Sequence, residues 1–496
     1  MEAKELTRGA GILMAITSLP SSYGIGTLGD AALRFVDLLV DLKQRYWQVL
    51  PIGPTSFGDS PYQSLSAFAG NPYLIDLDNL VRDGLLTKEE IQSFRWGNDD
   101  KDIDYANLFE NRFQVLKLAF ERFNPERPDF LEFVALHRDW LEDYAQFMAI
   151  KTELDNIGWA FWEAGLRNRE EEALASYCGK LEKQITFWKF TQYEFFEQWS
   201  SLKQYANTRG IQIVGDIPLY VAYDSADVWA HRERFQIEGD GSMAYVAGSP
   251  PDSFSEEGQK WGNPLYDWEN MEQEDFFWWK KRMKVSAHFF DVVRIDHFLG
   301  IVKYYGIPAE EESARGGRWN KGPGKKLTDA METELGTCKV IAENIGIAIP
   351  GAKKLMSRIG WPGIKILMFA FDGDTANEHL PHNYTEPNLV VYAGTHDNET
   401  IVGHFRDKTE YELAYLYEYM NIDAKEQIPD AFIRLAYSSI ADVVIVQMQD
   451  ILRLGNEARM NHPSTVGNNW RWRIGRDTMS EERRAWIRTM ATVYRR

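Results

Sequence analysis

The sequence around Asp296 combines residue types that can do covalent chemistry. A largely apolar run over 289–293 leads into Arg294, Ile295 and Asp296. Residues two apart in a strand share a face, so Arg294 and Asp296 should project together. A cation close to a carboxylate favours its ionised form, which suits a nucleophile rather than a proton donor. Asp296 is therefore the first candidate for covalent catalysis, and an ion pair at a strand end is the alternative.

Two further carboxylates follow apolar runs that are typical of buried strands. Glu343 ends the run 338–343, and Asp397 follows the run 389–396. In a parallel barrel the carboxyl ends of the strands meet at one face, where catalytic residues lie. Retaining cleavage of a glycosidic bond requires a carboxylate and a carboxylic acid about 5 to 5.5 Å apart. The set predicts sugar chemistry, with Asp296 as nucleophile, Glu343 as proton donor and Asp397 as stabiliser of transition-state charge.

Sequence neighbours divide the roles between the two central acids. Arg294 should keep Asp296 ionised, whereas Glu343 has no cation near it in sequence, so its pKa can be high enough for proton donation. Asp216 ends another apolar run, which adds a fourth acid at a strand end. Four such acids are less easily explained by chance than one.

The histidines near these acids suggest sugar binding rather than metal binding. His396 precedes Asp397 and could hold a sugar hydroxyl. Asp291, Asp296 and His297 do not have a recognised ligand spacing. We therefore expect no metal and no other cofactor.

The elements that must position these acids are short apolar runs followed by helical spacers. The alternation of strand and helix continues over 1–496 and favours a single α/β catalytic domain, a parallel (β/α)₈ TIM barrel. The eight predicted strands are 12–16, 46–52, 211–218, 291–296, 338–343, 364–369, 389–397 and 443–447.

Two stretches interrupt this alternation. From about 85 to 209, hydrophobic residues recur at intervals of three and four, which predicts an inserted helical subdomain. From about 219 to 288, Gly, Pro and aromatic residues are frequent, which we interpret as a loop-rich insertion over the active site. The helices predicted in the first insertion are 108–123, 130–154 and 181–205.

Composition limits the classes of partner. Hydrophobic residues make up 44% of the 496 residues and charged residues 26%, as in ordinary globular proteins, and the net charge of −19 disfavours binding to nucleic acid or to anionic membrane surfaces. Two cysteines are too few for a disulfide framework, and the apolar stretch 11–16 is too short for a signal sequence or a membrane span. We expect a cytoplasmic protein, either a monomer or a weak homo-oligomer.

Short motifs follow one another in a set order along most of the chain. Together they resemble the motifs of the 4-α-glucanotransferase family, also called amylomaltases or disproportionating enzymes, which is related to the α-amylases. The main motifs are GDIP at 215–218, QKWGNP at 259–264, VRIDHF at 293–298, IAE at 341–343 and GTHDN at 394–398, and further similar segments are 16–21, 60–63, 459–461 and 469–473.

The resemblance implies roles for ten residues. It assigns Asp296 as nucleophile, Glu343 as general acid and base, and Asp397 as transition-state stabiliser. The implied sugar contacts at the cleaved bond are Tyr62, Asp216, Arg294 and His396, and looser contacts along the groove are Gln259, Trp261 and Asn469.

The sequence departs from the family pattern at three positions next to these motifs. Asn344 and Ile345 replace the usual acid and leucine after Glu343, and Leu299 stands where an arginine is common. No catalytic group is lost, but the surroundings of Glu343 and the preference for acceptors could change.

The activity implied by the resemblance is transfer of α-1,4-linked glucan segments. The donor would be a maltooligosaccharide or a starch-type glucan, and the acceptor the 4-hydroxyl of glucose or of another glucan. The alternatives are an α-glucan hydrolase on the same barrel and a catalytically dead glucan-binding protein. An anion-binding enzyme is a further option, although no glycine-rich phosphate loop follows the late strands.

Overall fold

The chain folds around a parallel barrel that carries a helical segment and a small second sheet. The computed structural model describes residues 5–56, 58–97, 99–251, 255–476 and 478–496. The strands in these residues are β1 (Gly9–Leu13), β2 (Tyr46–Gln48), β3 (Gln212–Ile217), β4 (Tyr245–Ser249), β5 (Gln259–Pro264), β6 (Val292–Ile295), β7 (Lys303–Pro308), β8 (Arg318–Lys321), β9 (Lys339–Ala342), β10 (Gly363–Ile366), β11 (Leu389–Tyr392) and β12 (Val443–Gln447).

Helices separate most of these strands. They are α1 (Asp30–Asp41), α2 (Leu77–Arg82), α3 (Lys88–Gln92), α4 (Tyr105–Phe120), α5 (Pro128–Glu153), α6 (Ala164–Arg167), α7 (Glu171–Lys180), α8 (Glu182–Thr208), α9 (Ala226–Ala230), α10 (Trp268–Gln273), α11 (Phe277–Phe289), α12 (Lys325–Glu332), α13 (Ala352–Ile359), α14 (Ile401–Arg406), α15 (Glu410–Met420), α16 (Ile428–Ser438), α17 (Met448–Ile451) and α18 (Glu481–Val493).

Eight parallel strands form the main sheet in the order β10-β11-β12-β1-β2-β3-β6-β9. The two outer strands, β9 and β10, meet through the N–H of Ala342, which donates to the oxygen of Pro362 at 2.9 Å. The Asn344 side-chain oxygen accepts from the N–H of Ile364 at 2.8 Å across the same seam. The sheet therefore comes close to a closed barrel, and the predicted (β/α)₈ fold is confirmed.

All eight predicted barrel strands are present, but the first one begins earlier than predicted. We expected 12–16, whereas β1 covers Gly9–Leu13 and Ile16 begins a 3₁₀ turn. Strand β1 contains Gly9 and Gly11, and glycines in a sequence usually indicate a turn. A side chain at Gly11, however, would place its Cβ 2.5 Å from the main-chain oxygen of Tyr46. Glycine is required there because β1 and β2 approach closely.

The segment between β2 and β3 is mainly helical. Helices α4, α5 and α8 correspond to the three predicted helices, and no strand lies between them in the described residues. Aromatic rings fill the space between α5 and α8, including Phe133 and Phe196 with ring centroids 5.2 Å apart. The Trp199 indole N–H donates to the oxygen of Phe289 at 3.0 Å, which ties α8 to the barrel. Many of the aromatic residues are therefore packing residues.

The stretch 219–288 contains more regular structure than the interpretation as loops suggested. Strands β4 and β5 lie in it and join β7 and β8 in an antiparallel sheet with the order β5-β4-β7-β8. This sheet escaped sequence analysis because β4, β5 and β7 each contain a glycine that looks like a loop residue. Gly248 illustrates the reason, because a Cβ there would lie 2.2 Å from the oxygen of Gln259.

None of the helices in the described ranges combines the length and hydropathy that are needed to cross a membrane.

Candidate active site

Arg294 lies at the centre of the charged groups at the carboxyl ends of β3, β6 and β9. It is the register partner of Asp216 on β3 and of Ile341 on β9. Its Nη1 donates to both carboxylate oxygens of Asp216 at 2.7 Å, and both side chains are buried. A buried guanidinium is tolerated only when it is paired, and Asp216 supplies the partner.

The same guanidinium contacts both acids proposed for catalysis. Arg294 Nη1 donates to Asp296 Oδ1 at 3.1 Å, and Nη2 lies 3.4 Å from Glu343 Oε1. The carboxyl ends of β3, β6 and β9 lie at the same height in the barrel. The N–H of Asp296 donates to the oxygen of Ile217, and the N–H of Glu343 donates to the oxygen of Ile295. Asp296 and Glu343 therefore contact different nitrogen atoms of the same guanidinium.

His297 orients Glu343 through its main chain. The backbone of His297 is left-handed, with φ of 50°, and its N–H donates to Glu343 Oε2 at 2.5 Å. The imidazole packs edge-on against Trp261 with ring centroids 4.9 Å apart. Left-handed backbone is uncommon outside glycine and is retained where the surrounding structure demands it, often at functional sites.

The charge balance differs from the one that the sequence suggested. We expected Arg294 to lower the pKa of Asp296 and Glu343 to have no cation nearby. Instead Arg294 contacts both acids, and burial together with the Glu343 carboxylate raises the pKa of Asp296 to about 8. The Glu343 carboxylate thus disfavours the state in which both carboxyl groups are ionised.

Asp397 joins the site from the opposite side of the barrel. It follows β11 by five residues, and its Oδ2 lies 3.4 Å from His396 Nε2. The Tyr62 ring stacks on His396 with centroids 5.0 Å apart, and its hydroxyl donates to Asp216 at 3.0 Å. Burial lowers the pKa of His396, which keeps the imidazole neutral. Through Asp216, Tyr62 and His396, these contacts connect Arg294 to Asp397 across the carboxyl-terminal face of the barrel.

A sequence model described as 4-alpha-glucanotransferase matches residues 14–478, which is nearly the whole chain. The chain belongs to the 4-alpha-glucanotransferase family. It is 44% identical to the 4-alpha-glucanotransferase of Streptococcus pneumoniae serotype 4, with 99% of this chain and 97% of the relative covered. The 4-alpha-glucanotransferase of Thermus thermophilus is also 44% identical, with 99% and 100% covered.

Solved structures agree with this family membership. The amylomaltase from Streptococcus agalactiae, determined in complex with acarbose, is 42% identical and superimposes with a TM-score of 0.95 over 99% of both chains. The amylomaltase from Corynebacterium glutamicum is 17% identical with a TM-score of 0.81, over 98% of this chain and 75% of that one, and shows a shared fold.

Sequence analysis gave no role to two residues that hold Asp397 in this 4-alpha-glucanotransferase. The Asn461 amide donates to Asp397 Oδ1 at 2.6 Å, and Arg459 Nη2 donates to the main-chain oxygen of Asp397 at 2.8 Å. Both belong to the segment 459–461, which was noted only as a motif. They lie more than 60 positions from Asp397, so nothing in the sequence pairs them with it.

The resemblance assigned Gln259, Trp261 and Asn469 only loosely. These three residues differ in how directly they contact the residues around the acids. Trp261 on β5 contacts His297 and is part of the cleft wall. Gln259 is one step further, because its oxygen accepts from the Trp261 indole N–H at 3.1 Å. Asn469 holds its own loop, since it accepts from the N–H of His462 at 3.0 Å and donates to Thr465.

Proposed function

We propose that this 4-alpha-glucanotransferase transfers α-1,4-linked glucan segments by a retaining mechanism in which Asp296 is the nucleophile. The observation that supports this mechanism most directly is that one guanidinium, that of Arg294, contacts both Asp296 and Glu343. A carboxylate and a proton donor that flank one bond are the requirement for retention through a covalent sugar–enzyme intermediate.

The first step cleaves the glycosidic bond and forms the covalent intermediate. Glu343 gives its proton to the glycosidic oxygen, the bond from the anomeric carbon to that oxygen breaks, and an Asp296 oxygen bonds to the carbon. The shortened glucan leaves with a new hydroxyl. In the second step Glu343 takes the proton from an acceptor 4-hydroxyl, whose oxygen displaces Asp296. Asp397 stabilises the positive charge on the ring in both transition states.

The single proton of the acid pair belongs on Glu343 when substrate is bound. Both acids have donors in the protein, because Asp296 accepts from Arg294 at 3.1 Å and Glu343 accepts from the N–H of His297 at 2.5 Å. A glycosidic oxygen beside Glu343 is an acceptor, so it favours the protonated form of that group.

Transfer in place of hydrolysis requires that the acceptor hydroxyl, not water, reaches the intermediate. Two half-buried aromatic rings lie next to residues of the site, because Trp261 packs against His297 and Tyr62 stacks on His396. Sugar rings stack on such faces, which positions an acceptor and displaces water. We infer that maltooligosaccharides and longer α-1,4-glucans are both donors and acceptors.

The decisive assay uses pure maltotriose. A glucanotransferase converts it to glucose and a ladder of longer oligosaccharides while the number of reducing ends stays constant. The Asp296→Asn variant should lose this activity by at least about 10³-fold. Asp275→Asn is the matched control, because Asp275 is an exposed aspartate whose partner is Lys280.

An α-glucan hydrolase gives a different result in the same assay. Reducing ends then rise by one for each bond cut, and the products end at glucose and maltose. Full activity of Asp296→Asn would contradict the assigned nucleophile and would revive the hypothesis of a glucan-binding protein.

We also propose an oligomeric state and a cellular location for the protein. Both cysteines, Cys178 and Cys338, are free thiols, which fits a reducing compartment such as the cytoplasm. We propose a cytoplasmic monomer or weak homo-oligomer, which size-exclusion chromatography with light scattering over a range of protein concentrations would test.

A further inference from the structure

Arg459 lies beside the catalytic face, and its hydrogen bonds within the described part of the chain go to oxygen atoms of the main chain. Its Nη2 donates to the oxygen of Asp397 at 2.8 Å, and its Nε donates to the oxygen of Asn461 at 2.7 Å. Two donors of one planar group therefore connect two loops that are distant in sequence. The fork geometry of guanidinium suits this double contact, which a lysine cannot reproduce.

Asn461, whose main-chain oxygen accepts from Arg459, also contacts the Asp397 side chain. Asn461 Nδ2 donates to Asp397 Oδ1 at 2.6 Å. The result is a closed ring of contacts from Arg459 to the Asp397 main chain, along the Asp397 side chain to Asn461, and back to Arg459. Both the position and the rotation of the carboxylate are thereby determined.

Asp397 depends on such support more than the other acids do. Its side chain is 42% exposed, against 26% for Asp296 and 20% for Glu343, and it lies on a loop beyond β11. A second contact strengthens the support of that loop, because Asn456 Nδ2 donates to Glu399 at 2.7 Å. Segment 456–461 thus holds the Asp397 loop at several points.

We propose that Arg459 is a positioning residue, which sets the orientation of the Asp397 carboxylate through Asn461 and through the Asp397 main chain. The proposal rests on the proposed function, because it takes Asp397 as the stabiliser of transition-state charge. The proposal gives Arg459 no contact of its own with the sugar. Its effect falls on the chemical step and not on substrate binding, since preorganised charge acts where charge develops.

The first test compares kcat and KM of Arg459→Met and Arg459→Lys in maltotriose disproportionation. A small displacement of a catalytic group can cost about 10²-fold, so we expect kcat of Arg459→Met to fall roughly 10- to 100-fold with little change in KM. Arg459→Lys keeps the charge but not the fork, so kcat should fall nearly as far. Recovery of full kcat in Arg459→Lys would overturn the proposal.

The second test asks whether Arg459 acts only through Asp397. In an Asp397→Ala background, Arg459→Met should cause no further loss of kcat, because residues that act as a unit are not additive. Equal losses in both backgrounds would overturn the proposal. If Asp397→Ala itself keeps full activity, the proposed function fails, whereas loss in Asp397→Ala without loss in Arg459→Met contradicts only the role of Arg459.

A matched arginine controls for damage to the fold. Arg453 is 51% exposed and pairs with Asp430, away from the site, so Arg453→Met should keep wild-type kcat. Thermal unfolding of each variant shows whether the protein is folded. If Arg459→Met loses kcat and is also unfolded at the assay temperature, the loss counts against a positioning role. Arg459→Gln, which keeps one donor, then decides between a positioning role and a role in stability alone.

Discussion

Arg294 is the residue on which the charge balance of the site depends. It contacts Asp216, Asp296 and Glu343 with two nitrogen atoms while its side chain is only 3% exposed. Three carboxylates surround this one cation, and burial together with the Glu343 carboxylate raises the pKa of Asp296 in spite of it. The positively charged transition state of glycosyl transfer is favoured in such surroundings.

The first prediction concerns Arg294. An ammonium group cannot span the positions of both Nη atoms, so Arg294→Lys should lower kcat/KM by roughly 10²–10³-fold. Arg294→Met should also lower the free energy of unfolding by about 3–5 kcal/mol, because it leaves Asp216 buried and unpaired. Initial rates and urea unfolding measure the two effects. The surface variant Arg315→Lys, whose partner is Glu257, should change neither.

The second prediction concerns the pH dependence of catalysis. The acid pair must hold one proton for Glu343 to act, and the pKa of Asp296 in the empty site is raised to about 8 by burial and by Glu343. kcat/KM reports the free enzyme, so it should fall as pH rises through about 8, with the slope of one proton. Initial rates from pH 6 to 9.5 test this. A constant kcat/KM up to pH 9.5 would contradict it.

At the scale of elements, the seam between β9 and β10 is the weakest junction of the barrel. No strand ladder joins the two strands, and the contacts there include the Ala342 N–H to Pro362 bond and the Asn344 side chain. Glu343 lies between Ala342 and Asn344 in sequence. The closure of the barrel and the placement of Glu343, the proposed general acid, therefore involve three consecutive residues.

The third prediction tests the seam. Asn344→Ala leaves the N–H of Ile364 without its acceptor and should lower the free energy of unfolding by about 1–3 kcal/mol. Asn344→Asp keeps an acceptor oxygen and should cost less. Urea unfolding measures both. Asn320→Ala removes an exposed side-chain bond on β8 and serves as control, and an equal loss for Asn320→Ala and Asn344→Ala would contradict the role of the seam.

At the scale of the whole molecule, the active site opposes folding at alkaline pH. The pKa of Asp296 is raised from 3.8 to about 8, so between these values the folded chain binds a proton that the unfolded chain does not. Stability then falls as pH rises through this window, because the unfolded state binds fewer protons. The penalty is complete above pH 8 and absent below pH 4.

The fourth prediction follows from this sign. Asp296→Asn removes the penalty, so the variant should unfold at a higher temperature than the wild type at pH 8.5, and the difference should shrink toward pH 4. Thermal unfolding of both proteins across this range measures it. A difference that does not change with pH would contradict the raised pKa of Asp296.

The sequence by itself determined the barrel, the helical segment and the positions of the acids. Strong apolar runs such as 443–447 are recognisable because a parallel strand is buried on both faces. Acids at the ends of such runs must share one face of the barrel, so Asp296, Glu343 and Asp397 could be grouped without coordinates.

Only the tertiary structure decided which groups interact across the site. It placed one guanidinium against two acids, so that the pKa of Asp296 is raised where its sequence neighbour Arg294 suggested a lower value. It also brought Asn461 and Arg459 to Asp397 and assembled β4, β5, β7 and β8 from segments that contain loop-like glycines. The physical reason is that pKa values and hydrogen bonds depend on distances through space, which the spacing of residues along the chain does not contain.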